Sequence, residues 1–117
     1  MRHILFIAVA VLVYVAPAAA QDPVTVDAKH YKVEFENAQV RVLRIHYGPG
    51  EKSVMHDHPA NMAIFLTDGK GTFTMADGKK QDFAVKAGST QWDPGGKHLP
   101  ENTGTAPFEL VLVELKK

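Results

Sequence analysis

From Tyr31 to its end the chain is cut at short intervals by turn-forming residues. These are Asn37-Ala38, Gly48-Pro49-Gly50, Asp68-Gly69, Asp77-Gly78, Ala87-Gly88 and Asp93-Pro94-Gly95-Gly96. No run between them shows a helical period with caps over a dozen residues. What lies between them is β-prone. Tyr31 to Glu36 alternates apolar and polar, and Val40 to Tyr47 puts Leu43, Ile45 and Tyr47 on one face and Arg44 and His46 on the other. Met62 to Thr67, Thr72 to Met75, Gln81 to Val85 and Thr90 to Trp92 continue the series. The two Asp-Gly steps predict hairpins. Phe108 to Leu115 is almost continuously apolar, as a strand that is central or covered on both faces would be. Strands at this spacing predict an all-β fold, a sandwich or a barrel.

The first twenty residues stand outside this pattern. Met1-Arg2-His3 is followed by an apolar run from Ile4 to Val15 and by Ala16-Pro17-Ala18-Ala19-Ala20. A short basic start, a hydrophobic stretch and a small-x-small ending have the form of a secretory signal peptide. A membrane anchor is the alternative, but a spanning helix needs about 20 apolar residues. Residues 1–20 are therefore read as a signal peptide cleaved after Ala20, and residues 21–117 as one mature domain. That domain is expected to be exported, to the periplasm or beyond the cell, with no membrane association once the leader is removed.

Composition narrows the chemistry. There is no cysteine in the chain, which excludes disulfides, a thiol nucleophile, lipid attachment through cysteine and thiolate-ligated metal. The 13 basic and 13 acidic residues cancel, and the basic ones form no stripe interleaved with aromatics, so a nucleic-acid partner is not expected. No phosphate-binding glycine loop, nucleophile elbow or paired carboxylates are present. A metal would need nitrogen and oxygen ligands, and six histidines are available.

Among those histidines, His56-Asp57-His58 is the informative triplet. Residues two apart on a strand point to the same side, so both imidazoles can face one interior while Asp57 points away. A third ligand from elsewhere would complete an open site. His98 is the best candidate, because the Pro94-Gly95-Gly96 turn can swing the chain that follows it back across a barrel. A lone His-x-His is, however, more often surface chemistry than a metal site.

Two linked motifs add to that reading. Gly50-x5-His56-x-His58 followed by Gly69 resembles the first cupin motif, and Gly88-x5-Pro94-x-Gly96 followed by His98-x3-Asn102 resembles the second. The resemblance runs from about Val40 to Leu115. The stretch from Trp92 to Leu110 is similar to small single-domain cupins of quercetinase-like or β-alanine-degradation type, in the RmlC-like jelly-roll superfamily. It implies a double-stranded β-helix barrel holding a divalent transition metal (Fe, Mn, Zn, Ni or Cu) through His56, His58 and His98. Many cupins carry a glutamate ligand four or five residues after the second histidine, where this chain has Met62 and Ala63. Its absence implies a neutral shell of three nitrogens. Positions would then be left for water, O2 or a chelating substrate.

Around that centre, Met62 is expected to face the cavity, with Ile64 and Leu66 continuing an apolar wall. Gln91 and Trp92 flank the second motif, and alternation turns one of them inward, Gln91 as a hydrogen-bonding group or Trp92 as a wall. Ordinary core packing is the alternative for Met62 and Trp92. Arg44 and His46 are expected at the surface. His30 has no expected role, Glu101 is read as a solvated loop residue, and Asn102 is expected to satisfy turn backbone. No catalytic acid or base is identified. Three functions fit: a metal-dependent oxygenase acting on a small organic substrate, a non-catalytic module binding metal or a small ligand, and a structural barrel whose histidines are idle. The family resemblance also allows a homodimer paired through sheet edges.

Overall fold

The computed structural model describes residues 10–12 and 21–117. The expected leader lies outside the described residues, apart from 10–12. A one-turn helix, α1 (Pro23–Val26), is followed by nine strands: β1 (Tyr31–Glu36), β2 (Val40–Tyr47), β3 (His56–His58), β4 (Asn61–Phe65), β5 (Gly69–Met75), β6 (Lys80–Val85), β7 (Thr90–Asp93), β8 (Gly96–Asn102) and β9 (Phe108–Leu115). They form a five-stranded sheet in the order β1-β2-β9-β4-β7 and a four-stranded sheet in the order β3-β8-β5-β6. All pairings are antiparallel. No helix among the described residues is long and apolar enough to cross a membrane.

The period-two pattern decides what each strand buries. Leu43, Ile45 and Tyr47 of β2 and Phe108, Leu110 and Leu112 of β9 form the core with Tyr31, Ala63 and Phe65. Removing one such large apolar side chain from water is worth about 1.5–3 kcal/mol. β9 sits between β2 and β4, so the apolar run read as a central strand is one.

Asp77-Gly78 joins β5 to β6 as a hairpin, as expected. Asp68-Gly69 does not make one. β4 belongs to the five-stranded sheet and β5 to the other, so this step carries the chain from sheet to sheet. The Asp68 carboxylate instead accepts the N–H of Ala87, at 2.9 Å. The Pro94-Gly95 turn makes a comparable crossing from β7 to β8. Gly95 has φ 98°, and a Cβ there would lie 2.8 Å from the His58 carbonyl oxygen. Both the left-handed backbone and the close approach require glycine.

On its outer face the five-stranded sheet carries a row of apolar residues across all its strands. Phe35, Val42, Val113, Met62 and Trp92 are successive partners in register. Met62 and Trp92 are 37% and 52% exposed.

Candidate metal centre

β3 and β8 are neighbours, with His56 directly opposite His98 in register. Cross-strand partners share a face, so His56 and His58 from one strand meet His98 from the other inside the barrel. One ring nitrogen from each lies within 4.8 Å of the other two. The ring centroids are 4.8–5.1 Å apart, all nearly perpendicular. His56 and His58 are buried, and His98 is largely so. Asp57 points outward, as the spacing predicted.

Hydrogen bonds at the backs of the rings preset two of the imidazoles. His58 Nδ1 is 2.7 Å from the Glu114 carboxylate. Burial alone would raise the Glu114 pKa, but the bonds from His58 and Arg41 outweigh it and hold the carboxyl below its ordinary value. The ionised acid can only accept, so Nδ1 carries a proton and donates it, which leaves Nε2 as the nitrogen turned to the centre. His56 Nδ1 likewise donates to the Val54 carbonyl at 2.8 Å. Its Nε2 accepts from the Tyr31 hydroxyl at 3.1 Å. Burial, then the neighbouring His58, lowers the His56 pKa to about 4. Burial, with His58 and His56, brings His98 to about 3. Both rings are therefore neutral near pH 7, the form that ligates metal. His98 is stacked on Phe73 at a centroid distance of 4.9 Å, and its buried Nε2 has no hydrogen-bond partner. Neutral imidazoles at His56 and His98, with one buried nitrogen unsatisfied among the described residues, fit a first-row transition metal that prefers imidazole.

The support extends well behind the ligands. Glu114 also accepts from Arg41 Nε at 2.7 Å, and Arg41 clamps Asp22 through two bonds of 2.7 and 3.0 Å. Asp22 is the N-cap of α1. On the other side, Ser53 lies 3.2 Å from His56 Nδ1 and donates to Asp27. Asp27 holds His30, which is stacked on Tyr47 at 4.2 Å.

A cavity of about 270 Å³ opens onto the centre. Tyr31, His58 and His98 line one part of it, while Phe65, Phe73, Phe83, Phe108, Leu110 and Leu112 make it mainly apolar. Gln91 lines it, as one of the two alternatives had it. Met62, Ile64, Leu66 and Trp92 do not. In β4 the inward residues are Asn61, Ala63 and Phe65. The chain changes sheet between His58 and Asn61, so alternation counted onward from the histidines fails by one residue. Trp92, opposite Met62 in register, is turned outward with it, and Gln91, opposite Ala63, is turned inward. Ala63, the inward one of the two positions at which many cupins carry a glutamate, offers no carboxylate to the cavity.

Glu114 and Tyr31 were missed by the sequence reading. Glu114 follows Phe108, Leu110 and Leu112 at two-residue steps, and a charged residue in phase with a buried face was the available signal. Tyr31 had no comparable mark. Asn102 performs its expected task, donating to the Tyr47 and Ala106 carbonyls and accepting from Gly104 N–H. His46 is exposed, whereas His30 is buried and hydrogen-bonded to Asp27.

The same fold is found in solved proteins. A cupin domain from Bordetella pertussis superposes with a TM-score of 0.69 at 22% identity, covering 74% of this chain and 92% of that one. A conserved protein with a double-stranded β-helix domain from Klebsiella pneumoniae gives a TM-score of 0.59 at 26% identity, covering 73% and 74%. An RmlC-like cupin family protein from Methanocaldococcus jannaschii gives 0.57 at 22% identity, covering 76% and 83%. No protein with a curated description matches the sequence. Residues 43–114 match the family described as Cupin domain, a span of more than half the chain, and with it the jelly-roll topology and the histidine cluster establish that the chain belongs to the cupin family.

Proposed function

We propose that this chain is an exported metalloprotein that holds one divalent transition metal through His56, His58 and His98 and uses it on a small organic molecule admitted to the apolar cavity. The observation that carries the reading is the preset state of the rings. His56 and His58 each have Nδ1 committed to an acceptor behind them, and His98 Nε2 is buried without a partner. A purely structural cluster gains nothing from leaving a buried nitrogen unsatisfied. The metal, when bound, would act as a Lewis acid or as a site for O2 activation. The residues of the chain would orient the ligand, exclude water and keep the imidazoles in register.

Oxygenase chemistry fits a three-nitrogen shell with open positions. A second reading, binding without turnover, is favoured by the state of the acids. Glu114 is occupied by His58 and Arg41, and Asp93, in the cavity wall, accepts the Gly95 N–H. Neither is free to move protons at a bound ligand. Elemental analysis of gently purified protein and of His56→Ala tests the metal site, with stoichiometric metal expected in the first and near none in the second. Equal, near-zero metal in both after several ions are offered would overturn the proposal. O2 uptake across a panel of small substrates then separates the oxygenase from the binding module.

A further inference from the structure

Tyr31 lies outside the stretch that matches the family, yet its hydroxyl is 3.1 Å from a ring nitrogen of the metal centre. β1 places it there by pairing Tyr31 with Ile45 across β2, on the inner face. The side chain is 2% exposed and lines the cavity. A second phenol holds it in place: the Tyr47 hydroxyl lies 2.7 Å from that of Tyr31, and the two rings meet edge-on at 6.0 Å. With Nδ1 of His56 protonated, Nε2 is an acceptor only. Tyr31 therefore donates its O–H hydrogen bond to His56 and can accept one from Tyr47.

Metal binding removes that acceptor, because the Nε2 lone pair goes to the ion. The Tyr31 hydroxyl is then a buried donor facing the cavity. A dication among three neutral imidazoles and phenyl walls is also short of negative charge, and a charge buried in such surroundings calls for a partner. The two nearby acids do not supply one, since Glu114 is already paired with Arg41 and His58 and Asp93 is bonded to Gly95. One kind of ligand answers all of this: a small molecule with an anionic oxygen on an apolar body.

We infer that Tyr31, steadied by Tyr47, donates a hydrogen bond to the anionic oxygen of the ligand that occupies this cavity, so that the site selects small apolar carboxylates or enolates over neutral molecules of the same shape. The inference rests on the metal reading above. Tyr31 acts here as a specificity-determining donor, contributed by a strand that precedes both metal-binding motifs.

The test uses the full chain loaded with Co(II), titrated with benzoate and, separately, with benzamide, and followed by the visible absorption of the cobalt. Benzoate should shift the spectrum saturably and bind at least about tenfold more tightly than benzamide. Tyr31→Phe should weaken benzoate by about ten- to hundredfold, the worth of a hydrogen bond to a charged acceptor, with Co(II) affinity little changed. Equal benzoate affinity in wild type and Tyr31→Phe overturns the inference. So does equal affinity for benzoate and benzamide in the wild type, a comparison that stands even if the variant fails to fold. A phenolate-to-iron charge-transfer band in Fe(III)-loaded protein, absent from Tyr31→Phe, would make Tyr31 a ligand and overturn the donor role. Failure of wild type to take up Co(II) overturns the metal reading itself, a result distinct from intact Co(II) binding with indifference to benzoate.

Discussion

Residue by residue, the histidine cluster is braced by a group remote from it in sequence. Glu114 is buried, bonded to His58 on one side and to Arg41 on the other. Glu114→Gln keeps the shape and one acceptor but removes the charge that fixes the His58 tautomer and neutralises Arg41. Metal affinity is expected to fall about 10- to 100-fold, as when other outer partners of metal-bound histidines are lost. The metal-free protein should lose roughly 2 kcal/mol, because Arg41 is left without its buried partner. Metal titration and urea unfolding check the two effects, and unchanged affinity would show that Glu114 does not set the ring. The three clustered histidines were legible because His-x-His and the Pro-Gly-Gly turn are local signals. Glu114 was not, because only the register of β9 places it behind His58, 56 residues away.

At the scale of elements, the strands could be read from alternation and turns, but the sheet each belongs to could not. Asp68-Gly69 has the sequence of a hairpin and performs a crossing. His58 and Met62 look continuous in phase, and the change of sheet between β3 and β4 separates them. Such steps are set by how two sheets close on each other, which no local propensity encodes. Gly95 tests this directly. Gly95→Ala combines φ 98° with a Cβ within 3 Å of backbone at His58 and Pro59, and should cost about 2–3 kcal/mol or more. Gly78 in the β5–β6 hairpin also has positive φ, at 85°, but open space around it, so Gly78→Ala should cost only about 1 kcal/mol. Thermal unfolding of the two variants makes the comparison. Equal losses would mean that the β7–β8 crossing is not tightly packed against the end of β3.

The whole molecule carries the cost of its site as a dependence on pH. Unfolded, His56 and His98 titrate near 6.5; folded and metal-free, they titrate at about 4 and about 3. Between those values the unfolded chain binds more protons than the folded one. Stability is therefore complete above about pH 6.5 and is lost as pH falls through that window. His56 alone accounts for a loss on the order of 3 kcal/mol by pH 4. Asp22 and Glu114, held below their ordinary values, withdraw their contributions at lower pH still. Urea midpoints of metal-free protein should drop steeply between about pH 7 and about pH 5, and a flat profile would contradict the buried, neutral state of the histidines.

β3 has a further consequence. It is a three-residue strand at the edge of its sheet, bonded among the described residues only to β8, yet it supplies two of the three histidines that could hold a metal. Short edge strands are where proteins open first. In metal-free protein the amides of His56 to His58 should therefore exchange with solvent through local fraying, well before the amides of β9. A metal joining β3 to His98 would close that route and slow exchange there by the free energy of binding. Exchange rates at these few amides would then give the affinity of the site, one strand at a time, without any knowledge of the substrate.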